Sequence, residues 1–322
     1  MRLHPHSFIS SSDMKPFLRQ VAMFLLLPIA GCVTLLCTSL DRNIAWTSVP
    51  GDCDNRGSWI YQRLYLDTTG VDIAIVGTSR TINGIQDTLI SRLLSNSLSQ
   101  EMNIVNFGYC RFGMEMQFIM AKDILEQKNI EVIVIEINEG MSGSSHPLFP
   151  YYARTEDVLR PASVLNQAVP ANYYNGFLSR LTQFRQDILD LEDTAEPMFP
   201  SYGYRGYPGN ADPSTLIEPD SFVDREMNAL KRFEKLYPKA WIAQLVEMCL
   251  AKRVKIYFLY MPSYHDQPEP VEGLEFYRSL APVLIPPNAS IRNKGLWRDH
   301  DHLNDSGAKV LSTWLALELL NE

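Results

Sequence analysis

Asp72-Ile73-Ala74-Ile75-Val76, Asn103 to Phe107 and Val132 to Ile137 are short apolar runs. Between them lie stretches of helical periodicity: Gln86 to Leu98, with Leu89, Ile90, Leu93 and Leu94 on one face, and Met114 to Gln127. Apolar runs that barely alternate suit strands covered on both faces, as in a parallel sheet. Strand and helix in turn predict a doubly wound α/β domain, flavodoxin-like and three-layered (α/β/α) around a central parallel sheet. After helices expected around Asp224–Leu236 and Ala240–Ala251, Lys255 to Tyr260 reads as another strand, and a last helix is expected from about Ser306 to Leu320.

The rhythm breaks once, over about 141–220. Nine of the twenty prolines fall between Pro147 and Pro219, and seven of the fifteen tyrosines between Tyr151 and Tyr207, so this stretch reads as an aromatic, proline-rich insertion. Insertions of that length in a compact domain are usually lids or binding loops. One amphipathic helix is expected within it, around Asn175 to Leu191, and the run Tyr202-Gly203-Tyr204-Arg205-Gly206-Tyr207 resembles a loop that presents aromatic faces. An aromatic mini-core under the insertion is the alternative.

Val21 to Leu40 carries no charge over twenty residues. That length matches the hydrocarbon core of a bilayer, and a core helix seldom stays apolar on every face for so long. Lys15 and Arg19 precede the run. The bias of positive charge towards the cytoplasm then leaves the N-terminus inside and the large domain outside. The chain divides into a cytoplasmic segment 1–20, a transmembrane or signal anchor 21–40, a tether 41–70 and an α/β domain 71–322. Two alternatives to the anchor also export the domain. One is a cleaved secretory signal. The other is a lipoprotein acylated at Cys32, since Ile29-Ala30-Gly31-Cys32 resembles a lipobox. With 37 acidic against 29 basic residues, the formal charge is -8. A nucleic-acid partner, which needs a basic face, is not expected. Cys53, Cys110 and Cys249 are scattered without metal-ligand spacing. An oxidising compartment would allow one disulfide among them, and buried free thiols are the alternative.

Ligands of an open parallel sheet bind at the carboxyl ends of its strands. The first strand ends at Gly77-Thr78-Ser79-Arg80, the second at Asn106-Phe107-Gly108 and the third at Asn138-Glu139, while Asp299-His300-Asp301-His302-Leu303-Asn304 stands before the last helix. Taken in order, these blocks resemble the SGNH (GDSL-like) hydrolase superfamily: a Ser turn, a Gly, an Asn and a C-terminal DxxH. The phrasing Gly77-Thr78-Ser79-Arg80 and Asp299-x-Asp301-His302-Leu303-Asn304-x-x-Gly307 resembles the membrane-anchored branch associated with cell-envelope polysaccharides, similar to alginate-type acetylation proteins. The resemblance spans 71–139 and 255–320. One block departs from it, with Glu136 where Gly usually stands and Glu139 where Asp does. Glu136 would crowd or charge the oxyanion site if it faced it.

A serine hydroxyl needs a neighbouring base to become a nucleophile. His302 would be that base, since an unperturbed imidazole changes charge near neutral pH. Asp299, three residues earlier, would orient it. The resemblance implies the catalytic set Ser79, Asp299 and His302, with oxyanion donors from the Ser79 and Gly108 N–H groups and the Asn138 side chain. Arg80, Tyr202, Tyr204 and Arg205 are candidates for weak substrate contact, although Arg80 is better suited to a structural role, or to pairing with a carboxylate inside the fold, than to catalysis. Plainer roles are open to each: a helix cap for Ser79, a capping turn for His302, and turn positions for Gly108 and Asn138. No metal or other cofactor is expected.

The resemblance, with the uncharged N-terminal run, implies an exported serine acyl esterase or O-acyltransferase acting on ester groups of a cell-envelope or extracellular polysaccharide. The expected partners are an acylated carbohydrate, the membrane and a membrane O-acyltransferase. The alternative is a catalytically inactive SGNH-like scaffold or polysaccharide-binding component of an acylation complex. A weaker third reading is a lipase acting on the membrane beside its anchor.

Overall fold

The computed structural model describes residues 11–37, 41–47, 49, 53, 55–138, 145–166, 168–189, 203–212, 216, 235–264 and 273–321. The helices are α1 (Ser11–Cys37), α2 (Arg42–Thr47), α3 (Arg56–Tyr61), α4 (Ser79–Gly84), α5 (Asp87–Leu98), α6 (Met114–Gln127), α7 (Phe149–Tyr152), α8 (Thr155–Val158) and α9 (Val169–Leu189). They continue with α10 (Leu236–Ala251), α11 (Leu274–Arg278), α12 (Asn288–Ile291) and α13 (Asp305–Asn321). The strands are β1 (Ile73–Val76), β2 (Ile104–Asn106), β3 (Val132–Ile137), β4 (Lys255–Tyr260) and β5 (Val283–Leu284).

Among the described residues the sheet has five strands in the order β2-β1-β3-β4-β5, all parallel. This is the flavodoxin-like order. The chain runs from β1 outwards to β2, then returns to place β3 on the other side of β1. The direction of winding therefore reverses between β1 and β3. Their carboxyl ends form the crevice in which such sheets hold ligands.

Each strand sends alternate side chains to opposite faces. Ala74 and Val76 of β1, with Phe258 and Tyr260 of β4, join a core with Phe118 of α6 and Trp241 of α10. Ile73 and Ile75, with Tyr257 and Leu259, join a second core with Ile90 and Leu94 of α5 and Leu311 and Leu315 of α13. The sheet is thus covered on both faces, which is why its strands read as nearly unbroken apolar runs.

Residues 41–70 are not the expected tether. Trp46 of α2 and Trp59 and Ile60 of α3 are buried in the first core. Arg42 donates to the buried Asp123 of α6, which also accepts from Trp46 Nε1 at 2.8 Å and Arg154 Nη2 at 2.7 Å. Cys53 is bonded to Cys110 across a separation of 57 residues, and Cys249 is a buried free thiol. Short helices with wide-spaced tryptophans offer little periodicity to read, yet burying two indoles is ample reason to pack.

Helix α1 covers the uncharged run as far as Cys37, and its described apolar side chains are exposed, Phe24 at 80%. Among the described residues no helix is long and apolar enough to cross a membrane. Most of the expected helix 224–236 and part of the insertion lie outside the described residues. The insertion does contain a helix, α9, which starts six residues before the expected Asn175.

Candidate active site

The first element of the site is the turn after β1. Thr78 is extended (φ -100°) and caps α4 by accepting from Arg80 N at 3.1 Å, so Ser79 is the first residue of the helix. The plainer role foreseen for Ser79, the cap itself, thus belongs to Thr78. Beneath the turn lies Glu136, fully buried near the end of β3. It accepts from Thr78 N (2.6 Å), Thr78 Oγ1 (2.7 Å) and Thr81 Oγ1 (2.5 Å). Glu136 would crowd an oxyanion only if it faced the site, and these donors hold it elsewhere. Its carboxylate points under the turn at 77–79, and these three donors make its burial tolerable. Gly77 is required by the same arrangement, because a Cβ there would overlap Glu136 and Thr81.

The second element is a tight loop closed by the antiparallel bridge of Trp297 with Leu303. Arg298 N donates to His302 O at 2.8 Å, and Trp297 Nε1 fastens the loop base to Ile291 O at 2.7 Å. Within the loop, Asp299 Oδ1 accepts from Asp301 N (2.8 Å) and His302 N (2.9 Å). Both Asp299 carboxylate oxygens also lie 2.9–3.0 Å from His302 Nδ1. The other ring nitrogen, Nε2, is 2.8 Å from Ser79 Oγ. Serine, histidine and aspartate are therefore joined in one hydrogen-bonded line, within the reach a general base requires. Burial pushes the Asp299 carboxyl up, but the hydrogen bond and charge of His302 and two backbone N–H groups outweigh it and leave it below the usual carboxylate range.

The rest of the C-terminal motif is structural. Leu303 is buried in the second core. Asn304 Oδ1 accepts from Ser306 N and Gly307 N at 3.0 Å, capping α13. A Cβ at Gly307 would run into Leu296 O. Asp301 does not converge with Asp299 on a common point: it pairs instead with Arg80 Nη2 at 2.5 Å.

Other expectations require correction. The Gly108 N–H, expected at the oxyanion, donates to Asn106 Oδ1 at 2.9 Å, and its carbonyl accepts from Arg56 Nε at 2.9 Å. A glycine is needed there because a Cβ would lie 2.9 Å from Ile82 N of α4. Asn106 is the organiser of this corner, with Nδ2 donating to Thr81 O (2.7 Å) and Ile85 O (2.8 Å). Asn138 is buried immediately after β3. Arg80 is buried and turned to Met261 O, Ser263 Oγ and Asp301, so it does not face substrate. Tyr204 OH donates to Asp305 Oδ1 at 2.7 Å, and the backbone of Arg205 is tied to Ile82 and Asn83 of α4, so this pair secures the 203–207 segment. Tyr202 lies outside the described residues.

Two exposed aromatics, one beside His302 and one beside Arg80, were not singled out individually. Tyr207 is 40% exposed with its ring edge-on to His302, centroids 5.9 Å apart. Phe112 is 40% exposed, 5.4 Å from the Arg80 guanidinium. Tyr207 belongs to the Tyr-Gly-Tyr-Arg-Gly-Tyr run, so the signal was present, but not which tyrosine it favoured.

No protein-family model matches the chain, and no curated protein does. Among solved structures, it is similar to a GDSL-like lipase from Bacteroides thetaiotaomicron at 7% identity, covering 83% of this chain and 98% of that one, with a TM-score of 0.35. A putative acylhydrolase from Bacteroides fragilis gives 11% identity over 84% and 99%, with a TM-score of 0.36. A gut microbial diltiazem-metabolizing enzyme gives 13% over 79% and 47%, with a TM-score of 0.28. Likeness of this size carries no argument about the chemistry, which rests on the side chains described above.

Proposed function

We propose that the chain is a serine acyl esterase or O-acyltransferase of the SGNH type, exported and membrane-anchored, acting on ester groups of a cell-envelope or extracellular polysaccharide. The observation that carries the reading is the line Ser79 Oγ–His302 Nε2 (2.8 Å) and His302 Nδ1–Asp299 (2.9 Å). A scaffold without catalysis has no need of such alignment.

In this mechanism Ser79 Oγ attacks the ester carbonyl while His302 Nε2 takes its proton, and Asp299 stabilises the imidazolium. The carbonyl oxygen becomes an oxyanion, with the Ser79 N–H and the Asn138 side chain as its donors. The Ser79 N–H belongs to the first turn of α4, whose N–H groups have no acceptor within the helix. Collapse of the intermediate expels the alcohol, which recovers the proton from His302. Water or a sugar hydroxyl, deprotonated by the same nitrogen, then takes the acyl group from Ser79.

Export is supported by the uncharged run Val21 to Leu40 and by the Cys53–Cys110 disulfide, since disulfides persist in oxidising compartments. A glycan substrate is supported by the exposed ring of Tyr207 beside His302. The test is hydrolysis of p-nitrophenyl acetate by the full chain in detergent micelles, beside Ser79→Ala. The expected result is a loss of about 10³-fold or more. Equal rates would remove Ser79 as the nucleophile.

A further inference from the structure

We propose that Arg80 and Asp301 are a positioning pair that holds the base over the nucleophile. This rests on the serine-esterase reading of Ser79 and His302 and deepens it. The two catalytic side chains are 223 residues apart and share no element. Ser79 rides on α4, and His302 on the loop before α13. Their sequence neighbours make the join: Arg80 follows Ser79, Asp301 precedes His302, and Nη2 meets Oδ1 at 2.5 Å.

Arg80 is no loose surface cation. Its side chain is 5% exposed, Nη1 donates to Met261 O at 2.9 Å, and Nη2 also donates to Ser263 Oγ at 2.7 Å. Both acceptors lie just past β4. Ser263 Oγ is in turn 3.3 Å from Asp301 Oδ1, and Tyr264 N donates to His300 O at 2.8 Å. The loop tip that carries His302 is thereby pinned to the rigid end of the sheet, with the guanidinium as the pin. Burial raises the Asp301 carboxyl, but the Arg80 charge and hydrogen bond outweigh it, with smaller help from His300 and His302, and hold it below the usual carboxylate range.

The two aspartates of the motif divide the work. Asp299 sets the ring's orientation through Nδ1, and Asp301 sets the ring's position relative to α4. Ion pairs with a half-exposed partner contribute little to stability. Catalysis is more demanding, because a misplacement of about 1 Å can cost on the order of 10²-fold in rate.

The test uses Asp301→Ala in the full-length protein, with Asp301→Asn as the volume-conserving second variant. Arg80 keeps two acceptors in both. The expected result in Asp301→Ala is a fall in kcat for p-nitrophenyl acetate of about 10²-fold with KM unchanged, and a smaller fall in Asp301→Asn. In ¹⁵N-histidine spectra, the His302 Nε2 resonance should move away from its Ser79-bonded position, while the Nδ1 proton shared with Asp299 persists. An Nε2 resonance unchanged by Asp301→Ala overturns the pair's role, whatever kcat does. A wild type inactive on esters whose Nε2 still responds to Asp301→Ala would sink the esterase reading and leave the pair standing.

Discussion

At Gly77 there is no room for a methyl group. Glu136 and the Thr81 hydroxyl occupy the space a Cβ would need, and that same carboxylate holds the Thr78 N–H. Gly77→Ala should therefore lift the turn off Glu136 and displace Ser79. The expected cost is about 1–3 kcal/mol of stability and on the order of 10²-fold in ester hydrolysis. Thermal melting and p-nitrophenyl acetate assays check it, and wild-type values in both would refute the argument. Ser79, Asp299 and His302 could be singled out in the sequence because each is a reactive or ionisable side chain in a short motif, and the structure brings the three together. Glu136, Asp301 and Asn106 were not, because what they do depends on which way each points. Gly108 shows the same limit: its N–H was expected at an oxyanion, but it donates to Asn106 Oδ1, and the space a Cβ would need is taken by Ile82 of α4.

Among the elements, the start of α6 carries a buried titrating pair. Glu115 is pushed up to about 7, chiefly by burial, against the pull of the hydrogen bond it accepts from the His146 N–H. His146 is pushed down to about 4 by burial, aided by the Arg111 charge and opposed by its bond to Cys110 O. The signs are opposite. The raised carboxyl contributes stability that is present below the ordinary carboxylate value and lost as pH rises through about 7. The lowered imidazole loses stability as pH falls from its ordinary value towards about 4. Glu115→Gln removes only the first. Its Tm relative to wild type should rise between about pH 5 and about pH 8, by the equivalent of up to roughly 3 kcal/mol. A difference that stays flat across that range would contradict it. Strands β1 to β4 were legible to within a residue or so at each end, since burial on both faces leaves its mark in composition. β5 was not, because two residues carry no period. The 203–207 run was legible as aromatic, but Tyr204 secures the segment to Asp305 while Tyr207 stands beside His302.

At the scale of the molecule, the segment 41–70 is bound to the domain by two buried tryptophans, the Asp123 ion-pair cluster and the Cys53–Cys110 bond. That bond closes a loop of 57 residues, for which chain entropy gives about 4 kcal/mol. Cys53→Ser/Cys110→Ser should lower the Tm markedly, and reductant should do the same to the wild type but not to the double variant. Equal melting of oxidised and reduced wild type would show that the bond adds nothing. The chain's own residues determined an α/β domain, an uncharged N-terminal run and the order of Ser79, Asp299 and His302 along the chain, because periodicity, length and side-chain chemistry are local properties. Only the tertiary structure decided that Trp46 and Trp59 of the supposed tether belong to the core and that Asp301 is the carboxylate Arg80 meets. It alone placed Glu136 beneath the turn and joined Asp301 to the nucleophile helix. Each of those depends on what residues distant in the chain leave open or fill, and no local pattern records that.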